Sequence, residues 1–434
     1  MSTTTTSFGR EAAAALARSK NEPDWLVAVR EEAAELAARL ELPKPEKMPI
    51  QRWPLDRIGE YRPGAAVADA GRLPAAIAGQ LPEKPDGAVI VQYNSSVIYT
   101  QVPPEWTAQG VVVCSLEEAV RTQEERVRAH LMTAYAREEH RLAALHAALW
   151  NGGVYVYVPR NAELTAPIQA LLYADDPEAT FAPHVLVIAD ANSRVTVLEH
   201  ASSGLAGEGA GLVHNGAVEV FAKSGAHVRY AAVHHMDAGT VDVVYRRAVC
   251  DADARVEWIV GELQGGNALT DTKTILKGGG SASDTKVIAV GTGSQRESLT
   301  TQAVHIGRAS ESTMVTRAVM TEEATAIING VTKIEKGATK ANGQQAEKVL
   351  MLSPKARGDA NPILLIDEDD VKAGHAASVG QINAEQVYYL MSRGIARAEA
   401  ERLIVHGFLE PVVSEIPLES LREQLRRILE RKLG

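Results

Sequence analysis

A chain of 434 residues, 45% apolar and 23% charged, has ample material for a folded core. Its net charge of −10, with no basic stripe to offset it, excludes a nucleic-acid binder, because phosphate contacts need a cationic surface. Two cysteines, Cys114 and Cys250, exclude a disulfide framework and are too few for the thiolate set that usually holds an iron–sulfur cluster.

Length alone suggests roughly three domains, a prior that repeat architectures break. Aromatics are scarce at 5%, while Ala, Val and Gly abound, which favours thin, regularly stacked layers. The opening MSTTTTSFGR lacks the apolar core of a signal peptide, and no apolar run approaches the ~20 residues that span a bilayer. A cytoplasmic chain without a membrane partner is expected.

From about Asn21 to Leu42, the spacing of Leu26, Val29, Ala33, Leu36 and Leu40 predicts an amphipathic helix with Pro23 in its first turn. Pro43, Pro45 and Pro49 break it into an extended linker up to Trp53. Ala88–Tyr93 and Ser96–Gln101 alternate and predict two strands of a small sheet. Ser115 and Glu118 form a capping box, opening a helical stretch that runs with a break to Trp150 and stops at Asn151-Gly152-Gly153. Residues 1–150 are thus expected to form a mostly helical N-terminal domain with a small sheet.

Beyond Gly153 the period changes to two. VYVYVP opens about two hundred residues of short strand-like pieces punctuated by Gly and Asx turns. GAHVRY, DARVEW, SASDTKV and ASESTMV repeat weakly, setting Ala226, Ala254, Ala282 and Ala309 at steps of 28, 28 and 27. Ala324 and Ala338 follow at half that step, 15 and 14. One small and one β-branched residue per fixed unit is the pattern of a solenoid, whose coils bury their apolar faces only against their neighbours. Residues 151–382 therefore read as a parallel β-helix, with an ordinary β-sandwich as the alternative. LKGGGSAS lacks the Gly-Lys-Ser/Thr ending and following helix of a phosphate loop, and reads as a turn between coils.

From Asn383, a plausible N-cap, helical spacing returns: Val387, Leu390 and Met391 form a stripe that Gly394 ends. Two further helices are predicted at about Ala396–His406 and Leu418–Lys432, the last with Leu418, Leu421, Leu425, Ile428 and Leu429 on one face. Residues 383–434 would cap the solenoid or meet a partner; the sequence serves both readings.

Among residues that carry chemistry, His375 sits alone amid small residues and by itself reads as a hydrogen-bonded interface histidine. The acidic run Asp367–Asp370 lacks the alternating ligands and glycine of a calcium loop and reads as a solvated turn or salt-bridged edge. His234 and His235 face opposite ways in a strand; with His200, His214 and His227 they could gather on one solenoid face, though scattered polar positions are the commoner outcome. Cys114 reads as a buried small hydrophobe and Cys250 as a packed or surface thiol. No H-E-x-x-H or G-x-S-x-G motif occurs.

Several stretches resemble one family. The segment from Asn361 to Ile395, NPILLIDEDDVKAGHAASVGQINAEQVYYLMSRGI, is similar to the signature of the SufB/SufD family, the scaffold subunits of SUF iron–sulfur cluster assembly. EPDWL at Glu22, ALHAALWNGGVYVYVP from Ala144, and INGVTKIEKGATKANGQQAEKVLMLSPKA from Ile328 resemble its helix start, its entry into the β-helix and its last coils. The resemblance implies a mainly β fold, a right-handed parallel β-helix flanked by helical regions. It implies pairing with a SufB-type paralogue through the β-helix, and an ABC ATPase, SufC, on the C-terminal helices. His375 becomes an iron or cluster ligand at the subunit interface, or a base beside the partner's cysteine. The cofactor would be a transient cluster or iron shared with the partner, with no nucleotide bound by this chain. SufB-type chains carry a cysteine in the last coils; VLMLSPKARGDANPILLIDEDDV has none, which sides with the SufD branch. That branch often has Cys two residues before the histidine, where this chain has Ala373. Rival readings are a β-helix enzyme acting on polysaccharide, a SufB-type chain that holds the cluster itself, and a homodimeric scaffold.

Overall fold

The computed structural model describes residues 8–81, 86–205, 211–416 and 419–433. Its first helices are α1 (Arg10–Ser19) and α2 (Asp24–Arg39). The leucine spacing locates α2, but Pro23 is its extended N-cap, at ψ 154°, and not part of the first turn. The sequence reading misses α1 because its buried stripe is Ala13, Ala14 and Ala17, too small to register as an apolar period. Glu22 and Arg30 form a buried ion pair at 2.6 Å. Arg30 also donates to the carbonyls of Ala148 (3.0 Å) and Trp150 (2.9 Å), groups that the end of a later helix would leave unpaired.

A short α3 (Ala75–Ala78) precedes the hairpin β1 (Val89–Tyr93) and β2 (Ser96–Gln101). Then come α4 (Pro104–Ala108), β3 (Val112–Ser115), α5 (Leu116–Thr122), α6 (Glu124–His130) and α7 (Arg141–Leu149). The Ser115 hydroxyl accepts the Glu118 N–H at 3.1 Å, so the hydroxyl half of the predicted capping box forms. After α7 the chain turns through Gly152 and Gly153, both at positive φ; a Cβ on Gly153 would stand 2.2 Å from the His184 carbonyl oxygen.

Sixteen strands follow, laid alternately into two sheets. They run β4 (Val154–Val158), β5 (Ile168–Ala174), β6 (His184–Ala189), β7 (Arg194–Ser203), β8 (Leu212–Ala222) and β9 (His227–His235). Next are β10 (Thr240–Cys250), β11 (Arg255–Glu262), β12 (Ala268–Leu276), β13 (Ala282–Gly291) and β14 (Arg296–His305). The series closes with β15 (Glu311–Met320), β16 (Thr325–Ile334), β17 (Asn342–Met351), β18 (Arg357–Ile366) and β19 (Lys372–Gln381). Odd strands pair in parallel with odd and even with even, giving a β-solenoid of about eight turns. The strands of the first 150 residues are not a separate small sheet: β1 and β2 extend the odd sheet, and β3 pairs with β4 on the even one.

Register corrects the repeat. From His227 through Arg255, Ala282, Glu311 and Asn342 to Lys372, coils measure 28, 27, 29, 31 and 30 residues. Ser281 and Ser310, one residue away from Ala282 and Ala309, therefore occupy the place of Ala226 and Ala254, and Ala341 continues the series. All five are buried, because the corner where the chain enters the odd sheet admits only a small side chain. Inward positions form the core, with Val, Ala and Ile in most coils and Trp258, Tyr230 and a set of threonines between them. LKGGGSAS is the turn between β12 and β13.

Three helices end the chain: α8 (Ala384–Ser392), α9 (Arg397–Val413) and α10 (Glu419–Leu433). The Asn383 side chain accepts the Glu385 N–H at 2.8 Å. α9 passes the predicted stop at His406 and continues through Pro411. Val405, Leu409 and Val412 of α9, and Leu425, Ile428 and Leu429 of α10, bury against outward residues of the odd sheet such as Val233, Ile259 and Ile288. Each fully buried side chain of this kind contributes about 1.5–3 kcal/mol. Leu418 and the Leu421 side chain lie outside the described residues. No helix among the described residues is long and apolar enough to cross a membrane.

Candidate functional site

Because α9 and α10 lie along the flank, they leave the last coil bare. Among the described residues β18 pairs only with β16 and β19 only with β17, so two ten-residue strands present an open row of backbone donors and acceptors. Leu365 (47% exposed), Ile366 (42%) and Val379 (43%) add apolar surface to that end.

Residues in register share a face of a sheet. His375 pairs with Gln345 and Ala377 with Glu347, both inward and buried, so His375 stands exposed on the inner face at the solenoid mouth. Thr332 donates to the Gln345 side chain at 3.0 Å, closing the layer beneath. The Glu347 carboxyl crosses the lumen to Gly330, where any Cβ would lie 2.0 Å from Oε1. Oε2 has no partner among the described residues, and burial pushes this carboxyl up to about 7. The mouth thus offers one exposed imidazole over an amide and a buried acid. A neutral imidazole ligates iron or takes a proton, but it supplies a single ligand.

Deeper in the solenoid, charge is buried as a closed network. Asp242 bridges His214 (2.6 Å) and His234 (2.9 Å), and His234 also meets Glu199 at 2.7 Å. Arg246 approaches the same His234 Nε2 at 3.0 Å and pairs with Glu262 at 2.8 Å. Burial and the Arg246 guanidinium oppose a charged His234 ring, yet Asp242 and then Glu199 outweigh them and hold its pKa up to about 10. His214, His234 and Asp242 have ligand atoms within 4.8 Å of one another, the spacing of a metal site. The Arg246 guanidinium occupies the ground a second cation would need, so the set is an ion-pair network. Glu199, Asp242, Arg246 and Glu262 escape the sequence reading because charged residues in alternating strands look like solvent-facing positions. Glu347 could have been found: it shares the inward period of Gly343, Gln345 and Val349.

Comparison with known proteins decides the family. The description "SUF system FeS cluster assembly, SufBD core domain" matches residues 172–408, and "SufBD protein N-terminal region" matches 84–170. The chain is 40% identical over 418 residues to the iron–sulfur cluster assembly protein SufD of Bacillus subtilis, covering 95% of each chain. The chain belongs to the SufBD family. Against SufB of the same organism identity is 26%, covering 95% of this chain and 90% of the other, and a SufBD family protein of Staphylococcus epidermidis gives the same figures. The greater likeness to SufD agrees with the missing thiol in the last coils. The chain is a SUF iron–sulfur cluster assembly protein, which gives the open coil and His375 their context.

The other candidate residues of this SufBD chain fall elsewhere. Cys114 is buried and its thiol is pushed up to about 12 by desolvation with Glu118 nearby; Cys250 is fully buried and pushed up by desolvation, then by Asp251. Neither supplies a thiolate at neutral pH. The histidines divide: His214 and His234 point inward, His200 and His235 lie on the outer face of the odd sheet, and His227 meets Glu257 at 3.2 Å. The acidic run forms the turn between β18 and β19, where the Glu368 carboxylate accepts the N–H of Gly337 at 2.9 Å. Past the mouth, α8 exposes Tyr388 (73%), Tyr389 (57%) and Met391 (43%), so its predicted stripe is buried mainly at Val387.

Proposed function

We propose that this chain is a non-catalytic scaffold subunit of SUF assembly. It pairs with a SufB-type paralogue at the open end of its solenoid and binds a SufC-type ABC ATPase through α8–α10. The observation that carries the reading is the uncapped last coil, two free strand edges flanking the inward-facing His375. Strand addition to such edges provides main-chain hydrogen bonds, while Leu365, Ile366 and Val379 provide apolar contact. Iron or the nascent cluster is the cargo. One imidazole cannot hold it, so the thiolates come from the partner and His375 completes the set or acts as base beside the partner's cysteine. A second copy of this chain competes for the same edges when the paralogue is absent.

Nucleotide hydrolysis belongs to the ATPase, and its closure pulls on the C-terminal helices. The described contacts give that pull a path. Lys432 of α10 donates to the carbonyls of Gln264 (2.6 Å) and Val290, and Lys286 of β13 pairs with Glu415 after α9. A shift of the helices is thereby felt in coils leading to the mouth. The test is His375→Ala in the co-expressed complex, scored by cluster content after anaerobic reconstitution. The reading expects intact assembly with cluster content reduced at least tenfold. Unchanged cluster content would refute the ligand role while leaving the scaffold role in place.

A further inference from the structure

On the flank of the solenoid, away from the mouth, lies a cleft of about 900 Å³. α10 forms one wall, the outer face of β7 and β9 another, and Gln80, just after α3, closes a third side. We propose that this cleft binds a small phosphate ester, bridging α10 to the β-solenoid.

The wall chemistry favours an anion. Arg427 and Arg431 lie one helical turn apart, exposed, and neither enters an ion pair among the described residues. Across from them are His200 of β7 and His235 of β9, the latter in register with Ser202, whose hydroxyl donates to the Gln80 side chain at 3.3 Å. His200 is 9% exposed, and its Nε2 is buried without a partner among the described residues, an orphan of the kind that a ligand oxygen or hydroxyl satisfies. The opposing charges are few. Glu430 stands at the rim, and Asp237, beside His235, is engaged by the Leu205 N–H at 2.6 Å. Burial, then Arg431 and Lys432, lower the His235 pKa, while Asp237 opposes them. A dianion placed between these groups relieves that crowding.

Two guanidinium groups facing an imidazole on the opposite wall match the several oxygens of a tetrahedral phosphate better than one planar carboxylate. The volume exceeds that of inorganic phosphate and falls in the range of organic-ligand sites, and Ile428 gives apolar ground for the rest of the molecule. Occupancy would pin α10, the helix whose movement the assembly reading invokes, although the site does not depend on that reading.

Isothermal titration of the full chain at low salt tests this with three probes: inorganic phosphate, glucose 6-phosphate and citrate. Both phosphates are expected to bind saturably at one site, glucose 6-phosphate more tightly and citrate at least tenfold more weakly than either. Arg427→Gln with Arg431→Gln, both at exposed positions, is expected to weaken phosphate binding at least tenfold, and His200→Gln severalfold. Absence of saturable phosphate binding, wild-type affinity in both variants, or citrate binding as tight as phosphate would each overturn the proposal.

Discussion

His375 is open to solvent while Glu347, one inward position along on the neighbouring strand, is buried with an unpartnered oxygen, and this contrast separates their roles. Glu347 is held neutral by desolvation: its pKa is raised to about 7 from 4.5. Because the folded value is the higher, its contribution is full below about pH 4.5 and is lost as pH rises through about 7. The isolated chain should lose roughly a few degrees of Tm between pH 5 and 8, partly through Glu347. Glu347→Gln should flatten that slope; an unchanged slope would show that the acid is already solvated. The His234 network has the opposite logic, since its charges persist at neutral pH. Asp242→Asn leaves the raised imidazolium short of a counter-charge and is expected to cost roughly 3–5 kcal/mol, read as a lower denaturant midpoint. An unchanged midpoint would mean the network is not charged.

At the scale of elements, the proposed assembly assigns separate work to the two open strands and to α8. Val379→Asp places a charge on the open coil without touching the core and is expected to abolish co-purification of a SufB-type partner while Tm stays within about 2 °C. Tyr388→Ala with Tyr389→Ala removes the exposed aromatics of α8 and is expected to weaken ATPase binding at least tenfold, with paralogue pairing intact. If both substitutions disturbed the same partner, the division of surfaces would be wrong.

The elements themselves were unevenly legible in the sequence. VYVYVP, the Ser115 cap and the Asn383 cap could be read locally because they depend on residues within a few positions. α1 could not, since an alanine stripe carries little hydrophobic contrast. The repeat slipped by one residue at Ala282 and Ala309 because coil length varies while strand register does not. At the site, His375 stood out through a family likeness, and its inward orientation required the register with Gln345. The charge network stayed hidden because Glu199, His234, Asp242 and Arg246 meet only when coils stack.

On the scale of the whole molecule, the fold is a rod whose first end is covered by the β1–β2 hairpin, α4 and β3 and whose last coil is left bare among the described residues, with the N-terminal helices along the even sheet and α9 and α10 along the odd one. At the first end the lumen is plugged: Trp106 of α4 packs into the solenoid core beside Ile90, Val113 and Val156. The bare end has no such plug among the described residues, which is why an assembly partner is the central claim. The measurement that tests it most directly is the native mass of the species that co-purifies when the tagged chain is co-expressed with SufB-type and SufC-type partners. The account expects one copy of this chain, one SufB-type paralogue and two ATPase subunits. A lone monomer, or a self-dimer that ignores both partners, would contradict it.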